Sequence, residues 1–349
     1  MVMPMDLNAE KFIIPEKYSR QVLFAPIGPQ GQERLRQANV VIVGCGALGT
    51  TQASMLVRAG VGKLRIIDRD YVEESNLQRQ FLFDESDAAQ KLPKAIAAEQ
   101  KLRQINMDVQ VEGVIADVEA QNIEGLIEGF DLILDGTDNF ETRFLLNDAA
   151  VKHHIPWIYG AVVASYGLTF TVIPARTACL SCFLPLSPTG LQETCDTMGV
   201  IGPAVSWVST LQVSEALKIL TGHEESLHGK LLSFDIWQNR FQQFTYPRDP
   251  ICTTCGRREF HYLEREAPTH ISMCGRNSVQ IHPRESRQLN LEDLKKRLAQ
   301  FGPVHGNAYL VRCHLDSYEF TVFQDGRTII KGTQDPALAR SLYARYVGS

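Results

Sequence analysis

The chain has no excess of basic residues: 35 lysines and arginines stand against 40 acids, a formal net charge of −5. Without a global basic field, a nucleic-acid partner is not expected. Long uninterrupted apolar runs are also missing. The most apolar stretch, residues 200–220, is broken by Ser206, Ser209, Thr210, Gln212, Ser214 and Glu215, so it reads as a buried core helix and not as a membrane span. The first residues, Met1-Val2-Met3-Pro4-Met5-Asp6, lack the charged-then-apolar order of a signal peptide. Internal repeats and low-complexity tracts are absent. A cytoplasmic address without membrane association follows, and there thiols stay reduced.

The eight cysteines are therefore not a disulfide framework. Four of them form two C-x-x-C pairs, Cys179/Cys182 and Cys252/Cys255, each in loop-like surroundings. One pair alone could be redox-active or accidental. Two pairs supply the four soft ligands of a closed, structural Zn²⁺ site with no open position for catalysis. Such a site would staple the segment after the main sheet back onto it.

At 349 residues the chain fits one large domain plus a small one. After an irregular arm over residues 1–28 and a short helix near 32–37, strands are expected at 40–43, 64–68, 109–114, 132–135 and 156–159. They alternate with helices at 50–59, 94–106, 122–129 and 139–153. That alternation predicts an α/β fold, a doubly wound, Rossmann-like and mainly parallel sheet with its site at the strands' C-terminal edge. Residues 167–174 and 229–246 are strand-rich and predict an antiparallel extension, separated by a buried helix near 203–220. The charged, proline-ended run Glu264-Arg265-Glu266-Ala267-Pro268 marks a boundary. The expected units are 1–265 and a small α+β module over 266–349. In that module the pattern predicts strands at 278–281 and 308–315, a helix at 291–301, and a hairpin of 318–323 and 328–331 turned at Asp325-Gly326. A closing helix over 336–346 has Pro336 at its first position.

The β-branched run Val40-Val41-Ile42-Val43 opens into Gly44-Cys45-Gly46-Ala47-Leu48-Gly49. This is a strand, a tight turn and a helix N-terminus, where glycines admit a phosphate and the helix dipole favours its charge. Asp68 ends the next strand, where an acid reaches a ribose hydroxyl. So far the pattern suits an NAD-dependent oxidoreductase. The residues that follow suit a triphosphate and its Mg²⁺ better: the cations Arg79 and Lys94, then Asp138 in the turn Gly136-Thr137-Asp138-Asn139. Taken singly, Arg79 and Lys94 also read as solvated surface cations, and Asp138 as a helix N-cap.

Tyr18-Ser19-Arg20-Gln21, the glycine turn, Ser75-Asn76-Leu77-Gln78-Arg79-Gln80 and Thr137-Asp138-Asn139 resemble the ThiF/MoeB family. So do Cys179-Leu180-Ser181-Cys182, Cys195 and Gly199-Val200-Ile201-Gly202-Pro203. The resemblance covers residues 15–265, in the family's order. These proteins are bacterial relatives of ubiquitin-activating enzymes. The resemblance implies an ATP-dependent nucleotidyltransferase that adenylylates the C-terminal glycine of a ubiquitin-like sulfur-carrier protein. It places Gly44, Gly46, Gly49, Asp68, Ser75, Asn76, Arg79, Gln80, Lys94, Asp138 and Asn139 around the nucleotide.

Within that set, the resemblance implies that Asp68 holds the ribose and that Asn76 and Arg79 contact the phosphates. Lys94, preferred to Lys91 because it follows Pro93, neutralises α- and β-phosphate charge. By the same resemblance Asp138 would bind Mg²⁺, with Asp135 as the competing acid. Asn139 is a nucleotide contact or the start of the next helix. Arg143 and Asn147 share a helix face and fit packing as well as function.

Arg20 corresponds to an arginine that reaches a neighbouring subunit's pocket, which implies a homodimer; the other reading is a surface arginine on the arm. Cys195 matches a cysteine that forms a covalent intermediate in some members and is merely retained in others. Its neighbours Glu193 and Asp196 disfavour the thiolate. The tail is similar to that of thiazole-pathway members, implying the ThiS-type carrier, with the MoaD-type carrier of molybdopterin synthase as the alternative. A sulfur-donor protein is a further possible partner. Cys313, mid-strand, argues against a fused rhodanese domain. Outside this class stand an NAD-dependent oxidoreductase, for which no hydride-transfer site is found, and a non-enzymatic docking subunit, disfavoured by the complete catalytic set.

Overall fold

The computed structural model describes residues 14–184, 198–265, 270–273, 277–283 and 288–348. The described strands form two sheets. The first runs in the order β3-β2-β1-β4-β5-β6-β7-β8. Its strands are β1 (Asn39–Val43), β2 (Lys63–Asp68), β3 (Gln110–Ile115), β4 (Leu132–Asp135), β5 (Trp157–Val163), β6 (Tyr166–Val172), β7 (Leu231–Asp235) and β8 (Arg240–Phe244). Strands β1 to β5 pair in parallel, and β6, β7 and β8 extend the sheet antiparallel. This is the expected doubly wound sheet with its antiparallel extension.

Continuous apolar runs such as Val40-Val41-Ile42-Val43 arise because a central parallel strand is covered on both faces. Val40 and Ile42 join a core with Leu64, Leu132 and Ile158. The helices on that face are α1 (Gly28–Gln37), α2 (Ala47–Ala59), α4 (Lys94–Ile105) and α8 (Gly202–Thr221). Val41 and Val43 face the other way, toward α5 (Ile123–Ile127), α6 (Phe140–His153) and α7 (Leu180–Phe183). The apolar segment expected to be a core helix is α8, and among the described residues no helix is long and apolar enough to cross a membrane.

The second sheet is antiparallel, in the order β11-β12-β13-β14-β10-β9. It comprises β9 (His270–Met273), β10 (Ser278–Ile281), β11 (Val304–Gly306), β12 (Leu310–Leu315), β13 (Tyr318–Phe323) and β14 (Thr328–Lys331). Helices α9 (Leu291–Leu298) and α10 (Pro336–Tyr346) share its core.

Four α-helices and strands among the described residues go beyond the sequence reading: β9, β11, α3 (Glu85–Gln90) and the single-turn α7, where loop-like surroundings were expected. The two strands are too short to show alternation. Helix α3 has only Ala88 and Ala89 as apolar residues, and its signal is local: Asp84 and Asp87 form a reciprocal capping box.

The two sheets meet beside β2 and β3. Tyr71 packs with Leu310, Phe323 and Ile329 of the second sheet. Gln280 Nε2 donates to Asp117 Oδ2 at 2.8 Å.

Candidate active site

Strand β1 is flanked by β2 on one side and β4 on the other, so the crevice at its C-terminal end is the switch point of the parallel sheet. Gly44 leaves β1 with φ +92°. A β-carbon on it would lie 2.5 Å from the Gly136 carbonyl oxygen, and one on Gly49 would lie 1.9 Å from that of Gly44. Protein packing alone accounts for both glycines. Gly46, the N-cap of α2, is different: the nearest atoms to a β-carbon there are Gln80 Nε2 at 3.9 Å and the Gly136 oxygen at 4.0 Å. Space is left beside the helix N-terminus, where backbone N–H groups and the helix dipole receive an anion. Gln80 is 3% exposed, and its Oε1 accepts no hydrogen bond. A buried acceptor left open beside an open glycine turn fits a nucleotide, whose hydroxyl and amino groups are donors.

Asp68 closes this wall. Its Oδ2 accepts from Cys45 N at 2.6 Å and its Oδ1 from Asp70 N at 2.7 Å. Burial raises its pKa, Asp70 adds to the rise, and Lys94 offsets part of it. Lys94 is the first residue of α4 and is 5% exposed. Its Nζ lies 3.5 Å from Asp70 Oδ2, and its backbone N donates to Asp70 O at 2.9 Å. Lys91, the rival lysine, terminates α3 at φ +50° with its ammonium over the Tyr71 ring. Lys94, and not Lys91, is the lysine drawn in beside Asp68. The Cys45 thiol is buried, and burial pushes its pKa up.

Ser75 and Asn76 lie on a short 3₁₀ turn, Glu74–Asn76. Asn76 is buried and its Oδ1 accepts from Glu73 N at 3.2 Å, completing a capping box. The Arg79 side chain folds back, donating to Ser75 O at 2.8 Å.

At the end of β4 the structure separates two acids. Asp135 is fully buried; its Oδ1 accepts from Thr137 N and Oγ1 at 2.9 and 2.7 Å, and Arg143 Nε lies 3.4 Å from its Oδ2. Burial raises its pKa. Arg143 also ties the Thr137 and Gly160 carbonyls, so its role is to fix this turn. Asp138 is exposed. The N-cap of α6 is Asn139, whose Oδ1 accepts from Thr142 N at 2.8 Å. The capping reading of Asp138 is thereby corrected: Asn139 caps, which leaves Asp138 available to a cation. Asn147 packs as well, accepting from Leu180 N at 2.8 Å.

Sequence reasoning overlooked several residues here. Gln52 Nε2 donates to Gln212 Oε1 at 2.6 Å, and both amides donate to the Asp135 carbonyl. Their signal in the sequence is weak, because α2 and α8 carry several other polar residues, among them Thr50, Thr51, Ser206 and Ser209. Arg69 pairs with Asp117 at 2.9 Å; burial opposes its charge, but Asp117, Asp70 and Asp138 raise its pKa. Asp117, Glu119 and His282 form a further cluster with donor atoms within 4.8 Å. The two imidazole nitrogens face different carboxylates, Asp117 at 3.4 Å and Glu119 at 3.3 Å, so the group reads as a polar network joining the two sheets.

Arg20 is exposed, in the turn after the 3₁₀ helix Glu16–Tyr18, and makes no hydrogen bond or ion pair among the described residues. The structure does not bring it to this chain's own nucleotide crevice. Cys195 lies outside the described residues.

The four cysteines of the C-x-x-C pairs converge. Their sulfurs all lie within 4.8 Å of one another, with Cys179–Cys182 at 3.9 Å, Cys179–Cys252 at 3.7 Å and Cys182–Cys255 at 3.4 Å. Thiolates about 2.3 Å from a tetrahedral zinc are about 3.8 Å apart, so the donor set fits that ion. Around it, Asn147 holds Leu180, while Asp148 accepts from Thr254 Oγ1 and Tyr262 N, both at 2.9 Å.

A model of the ThiF family matches residues 18–254. Over 336 residues the chain is 50% identical to the sulfur carrier protein ThiS adenylyltransferase of Bacillus subtilis (strain 168), covering 95% of this chain and 99% of that protein. It is 36% identical over 241 residues to the Escherichia coli (strain K12) protein of the same name, covering 69% and 94%. It is also 36% identical over 266 residues to the sulfur carrier protein adenylyltransferase of Thermus thermophilus, covering 74% and 96%. Among solved structures, E. coli MccB with MccA-N7isoASN superposes with a TM-score of 0.63 at 22% identity, over 71% of this chain and 76% of that one. That likeness is one of fold. With the family match spanning most of the chain and the glycine turn, acid and lysine assembled at the switch point, the chain belongs to the ThiF family.

Proposed function

We propose that this protein adenylylates the C-terminal glycine of a ubiquitin-like sulfur-carrier protein, and that its carrier is of the ThiS type. The observation that carries the reading is the open face at Gly46, with the unpaired Gln80 Oε1, Asp68 and Lys94 around it. The 50% identity to a ThiS adenylyltransferase extends over nearly the whole chain, which favours the ThiS-type carrier over the MoaD-type.

In this reading the carrier's terminal carboxylate attacks the α-phosphorus of ATP, forming an acyl adenylate and releasing pyrophosphate. Catalysis is mainly positioning and charge stabilisation. Asp68 accepts from the ribose, the α2 N-terminus and Gly44, Gly46 and Gly49 admit the phosphates, and Gln80 accepts a donor from the nucleotide. Ser75, Asn76, Arg79 and Asn139 line the phosphate side. Lys94 carries the charge that opposes the departing pyrophosphate. Asp138 is the carboxylate that would hold Mg²⁺, whose contribution is to neutralise phosphate charge. Cys179, Cys182, Cys252 and Cys255 would hold a structural Zn²⁺.

Arg20, without a partner among the described residues of its own chain, would enter a neighbour's site in a homodimer. Cys195 would capture the activated carrier after adenylylation, with a sulfur-donor protein downstream. We place the protein in the cytoplasm and divide it into an adenylyltransferase unit, 1–265, and a C-terminal module, 266–349.

The test is ATP–pyrophosphate exchange with purified ThiS-type and MoaD-type carriers. Exchange should require a carrier and favour the ThiS type. Lys94→Ala and Asp138→Ala should each lower it by about 10²-fold or more, as for loss of a preorganised charge contact, and Lys94→Ala should cost more than Lys91→Asn. Exchange without carrier dependence, or tight NADH binding without exchange, overturns the reading.

A further inference from the structure

The segment from Arg69 to Glu73 runs from the ribose-side acid to the turn bearing Ser75 and Asn76, and it is gripped from two sides. On its inner side, Asp70 O accepts from Lys94 N at 2.9 Å and Asp70 N donates to Asp68 Oδ1 at 2.7 Å. Tyr71 bridges Pro93, the residue before Lys94, and Val72 N donates to Leu92 O at 2.9 Å. Glu73 closes the capping box with Asn76. Every one of these bonds ends on a residue of the nucleotide crevice or on its near neighbour in the chain.

On its outer side, three of the five residues, Arg69, Tyr71 and Glu73, are held by the second sheet. Arg327, 2% exposed, donates from Nη2 to Arg69 O at 2.6 Å. Lys331 Nζ lies 2.8 Å from Glu73 Oε1. Between them Tyr71, 4% exposed, packs on Leu310, Phe323 and Ile329, with Lys331 Nζ 5.6 Å from its ring centre. Gln280 steadies the flank through Asp117, the partner of Arg69.

A sheet docked merely for stability has no reason to place its buried arginine and a lysine on the two ends of this strip. We propose that the C-terminal sheet is a positioning device for the nucleotide site, with Arg327 and Lys331 as positioning residues. By fixing the Arg69 carbonyl and the Glu73 carboxylate, they set Asp68, Lys94 and Asn76 at one spacing before ATP arrives. This inference rests on the proposed ATP site. Neither residue touches the nucleotide; each acts through the strip. A preorganised strip lowers the ordering cost of binding, so its loss shows in ATP affinity more than in turnover.

The experiment uses the full-length protein and two readouts: equilibrium binding of ATP with Mg²⁺, and exchange kinetics with the carrier. Lys331→Ala should raise both Kd and KM for ATP about tenfold, equivalent to about 1.4 kcal/mol. Its kcat should stay within about twofold, and KM for the carrier should not move. Lys331→Arg, which keeps the charge, should restore most of the affinity. Arg345→Ala, on α10 of the same module, should leave ATP affinity unchanged. If burial makes Arg327→Ala insoluble, Arg327→Lys should still weaken ATP binding.

Unchanged Kd and KM for ATP in folded Lys331→Ala and Arg327→Lys overturn the proposal. So does a loss of thermal stability and kcat with KM untouched, the signature of a purely structural dock. Failure of the underlying function would appear elsewhere, as wild-type protein without carrier-dependent exchange. In that event the ATP-binding readout still decides the positioning role, unless the wild type binds no ATP, which overturns both.

Discussion

Gly136 and Gly44 lie back to back: a β-carbon on Gly136 would stand 2.3 Å from the Gly44 carbonyl oxygen. The ends of β1 and β4 can approach this closely only because neither residue has a side chain. Gly46 stands next to the same crevice with no such neighbour. Glycines of one turn thus separate into those required by the protein's own packing and one beside which the packing leaves space.

That separation is testable. A β-carbon on Gly46 meets no protein atom closer than 3.9 Å, so Gly46→Ala should cost less stability than Gly136→Ala. Its added methyl group occupies the space left for phosphate, so ATP affinity should fall by about tenfold or more, about 1.4 kcal/mol. Gly136→Ala should instead lose about 1–3 kcal/mol or more of stability through overpacking. Calorimetry of binding and unfolding for the pair checks this. Equal effects of both substitutions on ATP affinity, with neither affecting stability, would remove the distinction.

The cysteine cluster makes a second prediction. Purified protein should contain one zinc per chain, and Cys182→Ser or Cys255→Ser should lose it together with the cooperative unfolding transition. Structural zinc contributes on the order of 10 kcal/mol to folding of such sites. The cluster joins α7 to the segment beyond β8, so the antiparallel end of the first sheet should open first, detectable by hydrogen exchange. Metal analysis showing no zinc in a protein of normal stability would remove the claim.

The parallel sheet was legible in the sequence because its central strands are buried on both faces and therefore continuous in apolar residues, as in Val40-Val41-Ile42-Val43. The glycine turn, Asp68 and the paired cysteines were legible because each chemistry demands a residue type at a fixed spacing. The choice between Asp138 and Asn139 as helix cap was not, since both side chains can cap and they differ by one position. Lys94 is preferred to Lys91 in the sequence because it follows Pro93, and Pro93-Lys94 does open α4. Least legible was the grip of Arg327 on Arg69, which spans 258 positions and joins a side chain to a carbonyl, a bond any residue could accept.

Asp68 gives a pH dependence with a definite sign. Burial raises its pKa in the folded protein above the ordinary value of about 3.9. As pH falls, the folded form takes up this proton before the unfolded form does. Acidification through that window therefore adds stability from this group, and the contribution is lost again as pH rises through the folded pKa. ATP binding moves the opposite way, because protonation removes a ribose acceptor and the charge facing Lys94. ATP affinity should thus weaken on acidification at a pH above the usual carboxylate range, while Asp68→Asn should bind weakly with a flatter profile. A wild-type profile that is flat down to the ordinary carboxylate range would show that ionised Asp68 does not serve the nucleotide.

Arg20 supplies the last prediction. It is exposed, lacks partners among the described residues, and follows a 3₁₀ turn anchored through Tyr18, whose hydroxyl accepts from Asn106 Nδ2 at 2.7 Å. The arm's root is fixed while its arginine reaches no site among the described residues of its own chain. If Arg20 completes a neighbour's nucleotide pocket, the protein is a two-fold dimer with two composite sites. Arg20→Ala and Asp138→Ala should each be inactive alone. Mixing them, with subunit exchange verified by differently tagged chains, should restore activity, because in the hybrid one site combines an intact Arg20 with an intact Asp138 while the other lacks both. At full statistical exchange half of the dimers are hybrids and each has one working site, so recovery should approach about one quarter of the wild-type rate. No recovery after proven exchange, or a protein that remains monomeric at assay concentration, would place Arg20 outside the mechanism proposed for it.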